Sequence, residues 1–342
     1  MKALVLSEYN HFEYREVPEP RPTADEVLIE VKACGICGSD IHGMDGSTGR
    51  RQPPIIMGHE ASGIIVGVGS EAANWTPGDR VTFDSTISCG QCPFCHQGRP
   101  NLCDNRRVFG VSCDEYRQHG AFAQYVAVPQ QILYRLPEGL SFERTAVMEP
   151  LSIALHALNR TAVKIGDTAV VVGTGMIGLL LVQALRISGC GRILAIDLDP
   201  FRLEMACRLG ADEGLNAGQA NSVKEVIKRT GHGADIVFEA VGISDTVQTA
   251  IGCVRKGGQL TLVGNILPKV EFPLQAVVTR ELTLSASCGS SGEYPVCLDL
   301  LSRGVVNVDP LISVVAPLAE GARWFQALYR GESGLLKVIL RP

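Results

Sequence analysis

Residues 168–185, "TAVVVGTGMIGLLLVQAL", limit the possible folds of this chain more than any other stretch. They form eighteen uncharged residues between Asp167 and Arg186, the minimum length for a membrane-spanning helix. Three glycines within six residues argue against one helix, because glycine loses the most backbone freedom when it is fixed there. The stretch divides instead into a β-branched strand, "TAVVV", a glycine turn, and an apolar helix starting near Met176. The same alternation continues through "RILAID", "PFRLEMACRLGA" and "ADIVFEAVG", which predicts an α/β fold with a doubly wound parallel sheet and no membrane span.

Gly173, Gly175 and Gly178 take the G-x-G-x-x-G spacing between that strand and helix. The first glycine makes the turn, the second lets backbone approach a pyrophosphate, and the third lets helix and strand touch. Helix amides and the helix dipole then face the phosphates. Nineteen residues beyond Gly178, the next strand ends in Asp197. A carboxylate there accepts hydrogen bonds from an adenosine ribose and repels a 2′-phosphate, so NAD is expected over NADP, although Arg202 nearby could meet a phosphate.

The preceding 150 residues read differently. Short β-branched runs, "EVLIEVKA", "ASGIIVGVG", "DRVTFDS" and "FAQYVAVP", separated by turns such as Pro77-Gly78-Asp79, predict a barrel-like all-β assembly. With 342 residues, two domains are the default. The expected division is 1–150, completed by 288–342, against 151–287, since the last fifty-odd residues are too few for a third domain. A net charge of −5 lacks the basic excess of a protein that neutralises phosphate backbones, so no nucleic-acid partner is expected. The opening "MKALVLSE" is too short an apolar run for a secretory signal, and a cytoplasmic location follows.

Twelve cysteines without a secretory signal point to metal rather than disulfides. Cys89, Cys92, Cys95 and Cys103 are separated by two, two and seven residues. Four thiolates with no position left over describe a closed structural zinc site, with an iron–sulfur cluster as the competing assignment. A second group is "CGICGSDIH" with "GHE" some twenty residues on. Cys37, His59 and a carboxylate from Glu60 or Glu149 supply three zinc ligands and leave a position open, the arrangement of a catalytic site. Zinc polarises an alcohol oxygen and lowers its pKa, while Ser39 and His42 are suited to carry the hydroxyl proton outward. Between these ligands, "GMDGSTGRRQPP" offers Asp45, Ser47, Thr48, Arg50 and Arg51 as a polar border for a hydroxylated substrate.

Together, "CGICGSDIH", "GHEASGIIVGVG", the four cysteines, "MEPLSIALHAL" and the glycine turn resemble the zinc-dependent medium-chain alcohol and polyol dehydrogenase family over essentially the whole chain. Glu149 makes it most similar to the sorbitol, galactitol-phosphate and threonine dehydrogenase branch. The resemblance implies a GroES-like β-barrel catalytic domain plus a Rossmann domain, one catalytic and one structural zinc per chain, NAD, and a small polar alcohol as substrate. It also implies that Ile177, Asp197 and Arg202 contact the adenosine half of the coenzyme, with Val241, Gly242, Val263, Gly264 and Asn265 along the nicotinamide half. Two other functions compete. A zinc-finger-like NAD-sensing binding module is disfavoured by net charge, and a zinc-free quinone or enone reductase by the presence of Cys37, His59 and Glu149. Finally, "RELTLSAS" has one apolar face and no proline or lysine; as a sheet edge it would pair with a second copy, giving a homodimer, doubled to a homotetramer.

Overall fold

A computed structural model describes residues 1–113 and 116–342. They form two compact units, one of residues 1–149, 291–304 and 308–342, the other of 150–290 with 305–307. The chain thus re-enters the first unit at Ser291 rather than 288, and three residues, 305–307, pack with the second.

In the first unit the strand Glu26–Gly35 is the hub. Its residues alternate between half-buried and buried over most of its length, as a strand with one covered face requires. Along one edge it pairs with Glu60–Val68, and along the other with Tyr125–Pro129 at its start and Lys337–Arg341 at its end. Beyond these lie Arg80–Phe83 and Leu133–Arg135 on one side and Ile312–Pro317 on the other, making seven strands. The four runs named from sequence are all strands of this sheet. Strands Lys2–Glu8, His11–Glu16 and Ile55–Ile56 form a smaller sheet.

The end of the chain returns because its apolar residues complete this core. The Phe325 ring lies 4.4 Å from that of Phe12, tilted by 32°, and edge-on at 5.6 Å to Phe122. Such pairs add about 0.5–1.5 kcal/mol each beyond the area they bury.

The second unit carries six parallel strands in the order Glu213–Asn216, Arg192–Asp197, Thr168–Val172, Ala234–Glu239, Val254–Leu262, Thr283–Ala286. Ala169, Val170 and Val171 are fully buried, the near-continuous apolar run of a parallel strand covered on both faces. The eighteen-residue apolar stretch is the strand Thr168–Val172 followed by the helix Met176–Ile187. Among the described residues no helix is long and apolar enough to cross a membrane. The order reverses between Thr168–Val172 and Ala234–Glu239, the position where open parallel sheets bind ligands at their carboxyl ends. Thr283–Ala286 is the outermost strand, shorter than the sequence suggests because Glu281, at φ +48, still belongs to the turn before it.

Candidate active site

The four-cysteine lobe stands on a two-strand base, Thr86–Ile87 against Arg107–Val108. The sulfurs of Cys89, Cys92, Cys95 and Cys103 lie within 4.8 Å of one another. Thiolates each about 2.3 Å from one tetrahedral ion are about 3.8 Å apart, so this group is compact enough for a single ion. The thiolates of a four-iron cluster sit outside a cage of iron and sulfide and need more room. Local backbone turns its donors toward the sulfurs. The Cys89 amide donates to Cys103 Sγ at 3.2 Å. The Gln91 amide, with help from Cys103 and the Cys92 amide, pulls the Cys89 thiol down to about 6. The Asp104 and Cys95 amides lower Cys92, whereas burial pushes Cys103 up to about 11.

The second cluster comes from strand register. Gly35 is paired with Glu60, so Cys37 and His59, just beyond that pair on the two chains, come close together. Ligand atoms of Cys37, His59 and Glu60 converge within 4.8 Å. A Cβ on Gly35 would strike Glu60 Oε2, so only glycine leaves room for this carboxylate. Ser39 donates twice to Cys37 Sγ, from its amide at 3.5 Å and its hydroxyl at 3.3 Å. Burial, followed by the Glu60 charge, raises the Cys37 thiol, and a coordinated cation would oppose both effects.

Two buried atoms here have no hydrogen-bond partner, His59 Nδ1 and Glu60 Oε1. Lys337 Nζ holds the other Glu60 oxygen, Oε2, at 2.5 Å. His59 Nδ1 lies 3.6 Å from Oδ1 of the fully buried Asp40, which Arg51 Nη2 grips at 2.9 Å. A thiolate, an imidazole and a carboxylate with a spare buried oxygen are the donor set of a zinc site with an open position, and they fit that ion. Glu149 stands outside the convergent group. Ser85 Oγ donates to its Oε1 at 3.2 Å, and burial, opposed by His59 and reinforced by Glu60, pushes it up to about 7.

Ser39 and His42 lie at the two ends of the short helix Gly38–Ile41, both exposed. Among the described residues no hydrogen bond joins them. The polar border expected from "GMDGSTGRRQPP" needs correction. Arg51 is 2% exposed and turned inward to Asp40 and Ser39. Asp45 accepts from Tyr329 Oη at 3.1 Å, and Ser47 Oγ donates to the His42 carbonyl at 2.9 Å. Asp45 and Ser47 are tied to neighbouring groups, while Ser47 and Arg50 remain exposed, so only Arg51 leaves the border. Sequence analysis left Asp40, Arg51 and Lys337 without these roles. The signal for Lys337 was a cation inside the apolar run "LLKVIL", which must be paired once buried.

In the second unit the expected coenzyme residues gather at the carboxyl ends of the strands. A Cβ on Gly178 would run into the Gly173 carbonyl, while one on Gly175 would meet only Arg202 Nη1 at 3.9 Å, leaving the second glycine open to a ligand. Asp197 is tied to the same turn: Oδ2 accepts from the Thr174 amide at 2.7 Å and hydroxyl at 3.0 Å, and Oδ1 from the Leu198 and Asp199 amides. Arg202 lies in the helix Pro200–Arg208, its Nε 3.6 Å from Asp199. The buried Glu239 accepts from the Val241 and Gly242 amides at 2.9 and 2.8 Å. Its backbone carbonyl accepts from Val263 and Gly264, so 240–242 and 263–265 sit side by side. Ile177 is half-buried and Asn265 exposed at this edge.

Comparison with known proteins agrees with both halves. Residues 23–138 match the alcohol dehydrogenase GroES-like domain, and 177–303 the zinc-binding dehydrogenase domain. The chain is 33% identical to the sorbitol dehydrogenase of Bacillus subtilis (strain 168), covering 100% of this chain and 97% of that protein. It is also 33% identical to the D-arabitol-phosphate dehydrogenase of Enterococcus avium, over 97% of this chain and 94% of that one. A zinc-binding dehydrogenase of Sinorhizobium meliloti 1021, solved with NADP bound, superposes with a TM-score of 0.93 at 32% identity, over 100% of this chain and 99% of that one.

Proposed function

The chain belongs to the zinc-binding medium-chain alcohol and polyol dehydrogenase family, and on that footing we propose that it oxidises a secondary alcohol of a polyol, sugar acid or sugar phosphate with NAD. The observation that carries this reading is the convergence of Cys37, His59 and Glu60, with Glu60 Oε1 buried and unpartnered. A zinc-free reductase has no use for such a cluster.

When bound, zinc supplies a Lewis acid that lowers the pKa of the substrate hydroxyl, and NAD supplies the hydride acceptor. Cys37, His59 and Glu60 would hold the catalytic ion; Cys89, Cys92, Cys95 and Cys103 would hold the structural one. Asp40 faces His59 Nδ1, which favours the proton on that nitrogen and leaves Nε2 as the ligand. Glu149, raised by burial, is placed to exchange a proton near the ligands. Ser39 and His42 pass the hydroxyl proton to solvent, so alcohol and NAD yield carbonyl, NADH and one proton. Gly173, Gly175, Ile177 and Gly178 seat the pyrophosphate turn, Asp197 and Arg202 the adenosine, and Val241, Gly242, Val263, Gly264 and Asn265 the nicotinamide. Asp197 at the strand end supports NAD although the S. meliloti relative carries NADP.

A homodimer through the edge strand Thr283–Ala286, doubled to a tetramer, completes the reading. Support comes from exposed Phe272, Leu274 and Val278 just before that strand, apolar area that a second copy would cover. A cytoplasmic location suits thiols reserved for metal. The test is NADH formation across sugar alcohols, aldonates and their phosphates. Turnover of at least one, abolished by a chelator and restored by zinc, is expected; activity indifferent to metal overturns the reading.

A further inference from the structure

Lys337 is 2% exposed, and its ammonium lies deep in the first unit. The strand Lys337–Arg341 pairs with the end of Glu26–Gly35 through Ile339 opposite Gly35, and the Ile36 amide donates to the Val338 carbonyl at 2.9 Å. That register sets Lys337 beside the backbone leading into Cys37. Its Nζ donates to the Ile36 carbonyl at 3.0 Å and to Glu60 Oε2 at 2.5 Å, so one side chain ties together the two segments that carry the three ligands.

Buried ion pairs rarely stabilise a fold better than an apolar pair of the same shape. This pair is buried next to an open ligand set, and its geometry has a use there. With Oε2 held by the ammonium and seated in the space left by Gly35, Glu60 presents Oε1 alone, buried and unpartnered. We propose that Lys337 is a positioning residue for the catalytic site: it pins Glu60 so that the carboxylate offers a single oxygen to the metal. The inference rests on the metal reading given above.

The experiment uses the full-length protein with both metal sites loaded. It reads zinc affinity by chelator competition and the visible spectrum of the Co2+-substituted enzyme. Lys337→Met should weaken metal at this site about 10- to 100-fold, the usual effect of losing a partner of a ligand, with the cysteine-lobe metal retained. Lys337→Arg keeps the charge but relocates the donors; it should hold metal within roughly tenfold of the parent and shift the Co2+ bands. Parent-like affinity and spectra in both variants overturn the proposal. If the Met variant does not fold, the Arg spectrum and the pair Glu60→Gln and Glu60→Gln/Lys337→Met decide. Removing the lysine should add little once Glu60 is neutral, whereas a further large loss of metal means that Lys337 acts without Glu60 and overturns the proposal. A metal lost in Cys37→Ser but unaffected by Lys337→Met sinks this inference alone; a second metal that survives Cys37→Ser sinks the reading beneath it as well.

Discussion

The two metal-ligand clusters of the first unit are built by opposite means. In the cysteine lobe, all four ligands come from fifteen consecutive residues, and neighbouring amides face the sulfurs. The other cluster draws Cys37, His59 and Glu60 from the ends of two paired strands, and Lys337 from a strand near the opposite end of the chain. The local cluster satisfies itself and has nothing left to offer. The assembled one keeps a spare carboxylate oxygen in a buried setting, so it retains capacity for chemistry. Closure comes from sequence proximity, and openness from long-range assembly.

The contrast breaks most decisively at Cys37. Cys37→Ser should lower kcat/KM by about three orders of magnitude or more, roughly 4 kcal/mol of barrier, while NADH fluorescence titration shows coenzyme binding unchanged. Metal analysis should find only the lobe ion; retention of both ions would erase the distinction drawn between the clusters.

Asp197 supplies a control in the second unit, where neither cluster lies. The parent should prefer NAD to NADP by one to three orders of magnitude in kcat/KM, about 1.4 to 4 kcal/mol. Asp197→Ser should narrow that gap with metal content unchanged. Equal efficiency of the parent with both coenzymes would remove the role given to Asp197.

The converse of the Cys37 experiment is Cys95→Ser. It should cost stability before chemistry, lowering Tm by several degrees, at about 2–4 °C per kcal/mol for a unit of this size, with kcat within a few-fold. A parent-like Tm together with lost turnover would mean that the lobe is not the structural member of the pair.

The smallest effect lies away from metal altogether. Arg229 and Arg192 hold Glu213 below the usual carboxylate range, and the pair is more than a third exposed. A depressed carboxyl stabilises the fold fully above its unfolded pKa, near 4.3, and loses that contribution as pH falls through the lower folded value. Glu213→Gln should therefore cost under about 1 kcal/mol at neutral pH after solvent screening, and nothing at about pH 2, in denaturant titrations. A cost that grows toward acid would reverse the sign assigned here.

What the sequence disclosed follows the same division between local and assembled. The glycine turn, the strand–helix alternation and the cysteine spacing are short-range patterns, and each appears in the structure at the residues that carried it. Spacing does not distinguish Glu60 from Glu149; what favours Glu60 in the proposed ligand set is the Gly35–Glu60 register, which no short-range pattern reveals. Arg51 misled for a related reason: a loop arginine is ordinarily solvated, and only the buried Asp40, eleven residues earlier, draws it inward.

The strand Lys337–Arg341 gives biosynthesis a say in when the site matures. A chain made from its N-terminus exposes Cys37, His59 and Glu60 early, and residues 150–290 are finished long before residue 337 is translated. Until then Glu60 lacks its ammonium, and the core lacks Phe325, Val338 and Leu340. Residues 150–290 are thus made before the strand that completes the surroundings of the ligand cluster. A chain that stops short of residues 337–341 therefore carries Cys37, His59 and Glu60 without the ammonium that holds Glu60 Oε2.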